Sequence, residues 1–376
     1  MGRRAAIALL AGLALMGQLK RGDAETAGMD KRRLALASSL LAAEVKAGRV
    51  SAASIIVVKN GAIVLHEGFG AKPGAVYLLA SISKPVNAVA LMVLVERGLV
   101  SLDDPASRYL PELQGEDRAQ IRVRDLLTHT SGLPDMLPQN IELRRAHAPL
   151  SEFVKGAFTT PLLYKPRTDF SYQSMGTLLA GEIVERVSGQ RLREFHKREI
   201  FDVLGMKDSS LGLGGRPIAD TVLCQTGTGP DVDRFGPNSQ YWRDMGHPWG
   251  GMHSTVTDLA VLLQAFLNGG QFNGKRLLSP AATARMISDQ NAAIQKPWGL
   301  GWGLATSPVW VYCGDLVSPQ TFGHSGATGT VAWADPVSQV VTVILTTRAT
   351  SEDNGRLLRT VSNAVAAAVF HDRARP

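Results

Sequence analysis

Cysteine is scarce in this sequence, and two common signatures of hydrolytic enzymes are missing. Cys224 and Cys313 are the only cysteines among 376 residues, which excludes a disulfide framework and leaves a single bridge open. The eight histidines include no His-Glu-x-x-His pattern and no close pair, so the sequence predicts no metal site. Gly-x-Ser-x-Gly is also absent, and this excludes the nucleophile turn of the α/β-hydrolases.

Charge of one sign is not concentrated in any part of the chain. Lysine and arginine total 40 against 33 acidic residues, a net charge of +7. The basic residues are scattered, and Lys31-Arg32-Arg33 and Arg144-Arg145 are the notable internal clusters. This pattern favours a solvated surface and no nucleic-acid partner. With 45% apolar residues, the chain can bury a large core as one big domain or two lobes.

The first 24 residues have the composition of an export signal. Arg3-Arg4 precede an apolar run over residues 5–16, which is too short to span a bilayer comfortably, and Gly22-Asp23-Ala24 offers a small-x-small cleavage site. We therefore expect a signal peptide at residues 1–24 and an exported protein, periplasmic or secreted. Because Lys20-Arg21 are unusual in a cleavage region, an uncleaved N-terminus that tethers the protein to a membrane is the alternative.

Strand patterns occur near both ends of the chain, with helical patterns between them. Asn60-Gly61 is a two-residue turn signal that joins antiparallel strands, and Asp335-Pro336 marks a second turn. Helical spacing of apolar residues, with glycines as stop signals, predicts the helices. The predicted strands are 54–59, 62–66, 298–302, 329–334 and 340–347, and the predicted helices are 30–47, 86–97, 175–187, 259–267 and 357–370.

These elements predict an α/β (α+β) fold with an antiparallel sheet flanked by the terminal helices and a mostly helical lobe inserted between its strands. We expect one domain over residues 25–376. Its sheet lobe comprises about 25–80 and 295–376, and its helical lobe about 81–294. Ser81 falls where the lobes meet, and crevices between lobes are common binding places for small molecules.

The clearest chemical signal is Ser81, followed three positions later by Lys84. The helix at 86–97 is apolar on nearly every side, and Pro85 fits only near the beginning of such a helix. Ser81 therefore lies at its N-terminal edge and Lys84 in its first turn. Because residues three apart share a helix face, Ser81 Oγ and Lys84 Nζ can converge.

A serine becomes a nucleophile when a neighbour accepts its proton, and lysine does so only when it is neutral. Lowering the lysine pKa to near 7 costs roughly 4 kcal/mol, which burial at the tip of an apolar helix can supply. Ser83 competes as the nucleophile, but it points roughly 100° away around the helix. On this spacing alone, Ser81 as a helix cap and Lys84 as a solvated side chain remain the alternative.

Five motifs in the order seen in one enzyme family decide between these interpretations. The sequence resembles the serine β-lactamases and penicillin-binding-protein-like hydrolases from about residue 28 to the C-terminus. Within that family it is most similar to the class C branch, which includes family VIII esterases and D-aminopeptidases. The motifs are Ala80-Ser81-Ile82-Ser83-Lys84-Pro85, Leu126-Leu127-Thr128-His129-Thr130-Ser131-Gly132-Leu133, Phe170-Ser171-Tyr172-Gln173-Ser174, Gly250-Gly251-Met252-His253-Ser254-Thr255 and Gly323-His324-Ser325-Gly326.

The resemblance implies a β-lactamase/transpeptidase-like fold in which Ser81 is acylated and Lys84 handles its proton. Tyr172 would complete the base system, relaying a proton to the leaving group and, as phenolate, helping to activate water. The resemblance also implies substrate-binding and oxyanion-site residues on and beside a strand that lines the cleft, namely Ser174, His324, Ser325, Gly326 and Ala327. In particular, the N–H groups of Ser81 and Ala327 would hold the oxyanion.

Two departures from the family pattern shift the expected substrate. His324 stands where a lysine would offer a permanent cation, which weakens the case for carboxylate-bearing β-lactams or peptides; it could hold a carboxylate when protonated or hydrogen-bond Tyr172. Ser174 stands where asparagine is usual, and it offers fewer hydrogen bonds to an amide. His129 is expected to be a structural hydrogen-bonder, and Trp249 either lines the cleft or packs in the core.

The sequence therefore predicts a cofactor-free serine hydrolase whose partner is a small-molecule acyl substrate, namely a carboxylic ester or a related small acyl compound. The alternatives within the same chemistry are a β-lactamase and a D-Ala-D-Ala carboxypeptidase or D-aminopeptidase. A non-catalytic binding homologue is the alternative from a different class, although the intact Ser81, Lys84 and Tyr172 argue against it.

Overall fold

The structure is a computed structural model that describes residues 19–370, and its framework is one large sheet. In chain order the strands are β1 (Lys20–Arg21), β2 (Ala53–Lys59), β3 (Ala62–Phe69), β4 (Val76–Leu78), β5 (Ser210–Leu211), β6 (Thr221–Val222), β7 (Met252–Ser254), β8 (Gln271–Phe272), β9 (Lys275–Arg276), β10 (Gly303–Leu304), β11 (Phe322–Gly326), β12 (Thr330–Asp335) and β13 (Val340–Thr346). The large sheet has the order β1-β3-β2-β13-β12-β11-β10 and is antiparallel apart from the β1–β3 pair. The prediction of a sheet made from both ends of the chain is confirmed.

The predicted hairpin forms where the turn signal places it. Asn60 and Gly61 have φ angles of 52° and 78°, the left-handed conformations that a tight two-residue hairpin turn requires. Strand β2 is buried along its whole length because both faces of the sheet are covered. Ile55 and Val57 face one core cluster, whereas Ile56 and Val58 face the other, as the two-residue period of a strand dictates.

Helices cover both faces of this sheet and fill the inserted lobe. They are α1 (Lys31–Lys46), α2 (Ser83–Glu96), α3 (Glu116–Ala119), α4 (Val123–Leu127), α5 (Asn140–Arg145), α6 (Leu150–Thr159), α7 (Met175–Ser188), α8 (Leu192–His196), α9 (Asp202–Leu204), α10 (Pro230–Phe235), α11 (Gln240–Met245), α12 (Val256–Leu267), α13 (Pro280–Met286) and α14 (Arg356–Ala367). The terminal helices α1 and α14 pack against each other over one face. The Asp30 carboxylate caps α1 by accepting the N–H groups of Arg32 and Arg33 at 2.8 and 3.0 Å.

Helix α2 is the buried helix that its apolar sequence predicts. Every residue from Ser83 to Leu94 is buried, because the helix lies between α7 and the rest of the core. A turn of 3₁₀-helix, Ala80–Ile82, precedes it, and Gly98 follows it with φ 69°. This arrangement places Ser81 at the N-terminal tip of a rigid, fully packed element.

A small second sheet, which the sequence did not predict, joins β4 of the sheet lobe to three strands of the inserted lobe. Strands β4 to β7 form it in the order β5-β7-β4-β6, in a stretch of the chain where no strand was predicted. Each strand has only two or three residues, too few for a two-residue period to show. Strand β4 ends just before Ser81 and pairs with β7, so this sheet helps to fix the candidate site.

The prediction of a strand at 298–302 was also wrong. Gly301 has φ 79°, and its N–H donates to Leu127 O at 3.0 Å. A Cβ at this position would lie 2.6 Å from Ala88 Cβ, so the loop passes close against α2 where only glycine fits. Trp298 and Trp302 are both buried, and the tryptophan pattern reflects core packing of a loop.

Three further observations concern the cap of α12, the cysteines and the N-terminus. Thr255 caps α12 by accepting the N–H of Asp258, and the Asp258 carboxylate accepts hydrogen bonds from Asp208 and Ser209. Cys224 and Cys313 are free thiols. Among residues 19–370, no helix has the length and apolar character needed to cross a bilayer. The export signal lies mostly outside the described residues and stays a prediction.

Candidate active site

Ser81 and Lys84 converge as their spacing predicts. Lys84 Nζ lies 3.0 Å from Ser81 Oγ and 3.3 Å from the carbonyl oxygen of Trp249. Ala80, just before Ser81, has a φ of 49°, a left-handed conformation that is unfavourable for alanine and typical of strained functional sites. The side chain of Ser83 is used elsewhere, because its hydroxyl donates to Ala80 O and accepts the N–H of Met252.

The environment of Lys84 favours the neutral amine. Its side chain is only 2% exposed, and burial lowers the pKa of Lys84 to about 7, with the negative charge of Asp135 acting in the opposite direction. A buried ammonium is disfavoured because it loses its hydration. Near neutral pH a large fraction of Lys84 is therefore unprotonated and able to accept the proton of Ser81.

Tyr172 lies beside this pair. The Lys84 Nζ atom is 4.5 Å from the centre of the Tyr172 ring. Burial raises the pKa of Tyr172 above its usual value, although a hydrogen bond with the Ser81 side chain acts against this shift. The resting group is therefore a phenol. The phenolate that the family resemblance implied is disfavoured here, and a phenol is suited to donating or relaying a proton.

His129 holds the backbone on both sides of Tyr172. The carbonyl oxygen of His129 accepts the N–H of Ser171, and its Nδ1 accepts the N–H of Gln173, both at 3.1 Å. Its ring packs 4.6 Å from the Tyr172 ring, and burial lowers the pKa of His129 well below its usual value. The geometry matches the predicted structural role, since Nδ1 serves as an acceptor in a neutral ring.

His324 lies on β11 as a neutral side chain. Its Nδ1 donates to Ser325 O at 2.7 Å, and its Nε2 has no partner among the described residues. Burial and the nearby Lys84 lower the pKa of His324 to about 3. The ring is 6.0 Å from that of Tyr172 without a hydrogen bond between them. Neither interaction suggested for His324, with a carboxylate or with Tyr172, is set up in this geometry.

The segment after His324 forms the opposite side of the cleft. A Cβ at Gly326 would lie 2.1 Å from Leu79 O, so only glycine lets β11 approach the chain this closely. The next N–H, that of Ala327, donates to no acceptor among the described residues. Ser81, Ser325 and Ala327 line the same cavity, an arrangement in which two N–H groups can stabilise an oxyanion.

Ser174 binds a carboxylate that the sequence analysis missed. Its hydroxyl donates to Asp135 Oδ1 at 2.6 Å, and its N–H donates to Asp135 O at 3.3 Å. Asp135 is exposed and lines the cavity beside Ser81. The only sequence signal is its place two residues after Leu133, the end of the second motif. Ser174 therefore fixes a negative charge near Lys84.

Two cavities meet at Ser81 and Tyr172. The larger, of about 560 Å³, is walled by Trp242 and Trp249 among others, and the smaller, of about 240 Å³, by Trp298 and other aromatic side chains. The open question about Trp249 is thus resolved, because it lines the cleft while being buried. Trp242 was missed as a site residue because no motif surrounds it, and Trp298 because the stretch 298–302 was interpreted as the core of a strand. Within residues 19–370, no group of three or more His, Cys, Asp or Glu side chains is placed to hold a metal ion.

We expect Asp135→Asn to move the pH dependence of catalysis toward lower pH. The Asp135 carboxylate raises the pKa of Lys84, so its removal lowers that pKa and lets the neutral amine form in more acidic solution. Because Asp135 is solvent-exposed, the midpoint of the acidic limb of kcat/KM should fall by less than about one pH unit. Asp169→Asn, which removes a carboxylate outside the cavities, is the control, and an unchanged or raised midpoint in Asp135→Asn would contradict the assignment.

Known proteins resemble this chain along most of its length. The family model described as Beta-lactamase matches residues 37–367. A protein of Escherichia coli O157:H7, provisionally named as a D-alanyl-D-alanine carboxypeptidase, is 30% identical over 385 residues, covering 88% of this chain and 86% of that protein.

Two solved structures resemble the fold described above. EstCE1, a hydrolase with promiscuous acyltransferase activity, has a TM-score of 0.72 at 20% identity, over 89% of this chain and 99% of its own. A family VIII carboxylesterase has a TM-score of 0.69 at 20% identity, over 89% and 98% of the two chains. These likenesses confirm the expected β-lactamase/transpeptidase-like fold.

Proposed function

Because the chain belongs to the beta-lactamase family, whose members are serine hydrolases of the β-lactamase and penicillin-binding-protein type, we propose that it hydrolyses small carboxylic esters through an acyl-enzyme on Ser81. The contact between Ser81 Oγ and the buried Lys84 amine at 3.0 Å carries this proposal. It supplies a nucleophile and a base that is neutral near pH 7.

In the first half of the reaction, neutral Lys84 accepts the Ser81 proton as Oγ attacks the ester carbonyl carbon. The carbonyl oxygen becomes an oxyanion, which the N–H groups of Ser81 and Ala327 stabilise; such a donor is often worth about 3 kcal/mol. The Tyr172 phenol, which lines both cavities together with Ser81, donates a proton to the departing alkoxide. The products are an alcohol and an ester of Ser81, and Lys84 reprotonates the phenol.

In the second half, water attacks the Ser81 ester and the same groups act in reverse. Neutral Lys84, directly or through Tyr172, accepts a proton from the water molecule. The tetrahedral intermediate collapses, the acid product leaves, and a proton returns to Ser81 Oγ. The net reaction consumes one water molecule and needs no further reactant.

The electrostatics around Ser81 favour esters with no charge next to the reacting carbonyl over β-lactams and peptide C-termini. A neutral His324 offers no cation to a substrate carboxylate, because its pKa is lowered to about 3. The carboxylate of Asp135, fixed by Ser174, repels an anion placed near Lys84. Ser174 is thereby engaged and cannot act as the amide-binding residue that an asparagine would provide.

A D-Ala-D-Ala carboxypeptidase or D-aminopeptidase is the second candidate. The relative at 30% identity that is provisionally named as a carboxypeptidase favours it. A peptide C-terminal carboxylate would need a cation near Ser81, and Lys84 is the only cationic side chain in contact with Ser81 among residues 19–370. The ester proposal agrees better with the residues that surround the nucleophile.

We expect wild-type protein to hydrolyse p-nitrophenyl butanoate at least about 100-fold faster, in kcat/KM, than the chromogenic cephalosporin nitrocefin. Neutral His324 does not pair with the carboxylate of nitrocefin, and the engaged Ser174 does not bind its amide. The absence of these two interactions accounts for a ratio of this size. Initial rates on both substrates, with Ser81→Ala as the blank, measure it. A faster rate on nitrocefin would return the protein to the β-lactamase alternative, and Ser81-dependent release of D-alanine from a D-Ala-D-Ala peptide at a higher kcat/KM would favour the carboxypeptidase.

A further inference from the structure

One arginine in the wall of the large cavity has no acidic partner. Arg144 lies at the end of α5 and lines the cavity that contains Ser81. Its Nη2 donates to the carbonyl oxygen of Phe235 at 2.7 Å, while its Nε is buried and has no partner among the described residues. No carboxylate of residues 19–370 lies within ion-pair distance of it. A guanidinium has five N–H donors, so most of its hydrogen-bonding capacity is unused.

The guanidinium is held in place by its surroundings. Its central carbon lies 3.7 Å from the centre of the Trp242 ring, a stacking geometry that suits the planar group. The segment after α5 is tied to α10 by His147, which bonds Arg234 O at 3.0 Å. The Arg145–Asp231 pair between the same helices is exposed on both sides and adds little to this tie. Because the Arg144 guanidinium is already held against the Trp242 ring, it loses little conformational entropy when it binds an anion.

The other charges in the cavity are the carboxylates of Asp135 and of the exposed Glu352, and they limit where an anion fits. Asp135 is held by Ser174 near Lys84 and Tyr172, so a negative charge close to the reacting carbonyl is repelled. Arg144 belongs instead to the wall with Trp242, which packs against His247 and Trp249. A single guanidinium matches a single carboxylate in charge and in planar, bidentate shape, whereas a phosphate dianion would leave a charge unbalanced.

We propose that Arg144 is a specificity residue that binds a carboxylate at the far end of the substrate's acyl chain. The preferred substrates are then monoesters of aliphatic dicarboxylic acids, in which a polymethylene chain separates the ester carbonyl at Ser81 from the carboxylate at Arg144. Trp249, whose carbonyl oxygen lies 3.3 Å from Lys84 Nζ and whose ring centre lies 6.3 Å from that of Trp242, forms an apolar wall between them and accommodates that chain. This inference rests on the proposed ester hydrolysis and adds the class of acyl group.

The test compares p-nitrophenyl hexanoate with the mono-p-nitrophenyl esters of adipic, pimelic and suberic acids. We expect wild type to prefer at least one half-ester over the hexanoate by about tenfold or more in kcat/KM. Arg144→Gln should lower kcat/KM for that half-ester roughly 30-fold while changing the hexanoate value less than about threefold. The matched control is Arg145→Gln, which removes the same charge one residue away, outside the cavity, and should change both values less than about threefold.

A separate measurement keeps the inference testable if esters are not turned over. Calorimetric binding of monophenyl adipate, pimelate and suberate to Ser81→Ala, with and without Arg144→Gln, needs no hydrolysis. If no wild-type ester rate depends on Ser81, the proposed function fails, while an Arg144-dependent affinity for one of these ligands would still support the binding site. Arg144→Lys, which keeps the charge, should retain an intermediate preference and serves if the glutamine variant does not fold.

The inference is overturned by any of three results. One is the absence of a preference for every half-ester together with the absence of Arg144-dependent binding. Another is an equal fall on hexanoate and half-ester in a folded Arg144→Gln protein, which would indicate a structural role. The third is an Arg145→Gln effect as large as that of Arg144→Gln, which would indicate long-range attraction by the basic surface.

Discussion

Ser81→Ala is expected to lower kcat/KM for p-nitrophenyl butanoate by about 10⁴-fold or more, because no second nucleophile is in place. Ser81 Oγ lies 3.0 Å from Lys84 Nζ, and Ser81 lines both cavities together with Tyr172. The residual rate should come from the oxyanion site and from binding. Initial rates measure the loss, and mass spectrometry after reaction with a fluorophosphonate should show one covalent adduct on wild type and none on the variant.

Ser83→Ala is the matched control for this prediction. Its hydroxyl donates to Ala80 O and accepts from Met252 N, so its loss should lower stability by about 1 kcal/mol. It should leave the adduct and most of the activity in place. Labelling that persists in Ser81→Ala and disappears in Ser83→Ala would transfer the nucleophile to Ser83 and overturn the assignment of the site.

Lys84→Met is expected to lower kcat/KM by about 10³-fold, the usual scale for loss of a general base. In wild type the pKa of Lys84 is lowered to about 7 by burial. Since the neutral amine is the active form, kcat/KM should rise with pH through about 7 and then level off. Methionine, which is similar in length and uncharged, should abolish this acidic limb in the residual rate, as measured by pH–rate profiles from pH 5 to pH 9.

The same substitution should make the protein more stable. The folded-state pKa of Lys84 is about 7 and the unfolded value about 10.4, so the unfolded state binds the extra proton between these limits. Wild-type stability therefore increases as pH rises from about 7 to about 10, and the full penalty applies below pH 7. Lys84→Met removes a penalty of up to about 5 kcal/mol, reduced by the lost contacts with Ser81 and Trp249.

Calorimetric melting of wild type and Lys84→Met at pH 6 and pH 9 tests whether the substitution stabilises the protein by removing a buried charge. The difference in Tm between Lys84→Met and wild type should be largest at pH 6 and smaller at pH 9. Lys46→Met, which removes a lysine from the exposed part of α1, is the control for a general effect of charge. A Lys84→Met protein that melts lower than wild type at both pH values, together with an unchanged acidic limb, would show that Lys84 is not the neutral base.

The elements that were predicted correctly depend on residues close together in the sequence. The hairpin follows from Asn60-Gly61, and the burial of α2 follows from an apolar sequence on all its sides. The proximity of Ser81 and Lys84 follows from a separation of three residues at the beginning of a helix. Tyr172 and Gly326 were found through the resemblance of ordered motifs, which short-range spacing alone does not supply.

The elements that were missed depend on contacts between distant parts of the chain. The short strands β4 to β7 acquire their partners only in the folded lobe. Asp135 becomes a site residue through Ser174, 39 positions away, and Arg144 through a tryptophan on α11. The loop at 298–302 has an apolar sequence typical of a strand, but its conformation is set by the approach of Gly301 to α2.

The sequence by itself determined the family, the origin of the large sheet in both ends of the chain and the identity of the candidate nucleophile and base. The tertiary structure alone decided the protonation of that base and of His324, the engagement of Ser174 by Asp135 and the place of Arg144 in the cavity. The physical reason is that spacing along the chain fixes which neighbouring side chains share a face. The burial of a group and the charges near it set its pKa and select a substrate. Both depend on all the residues packed around that group, and only folding brings these residues together.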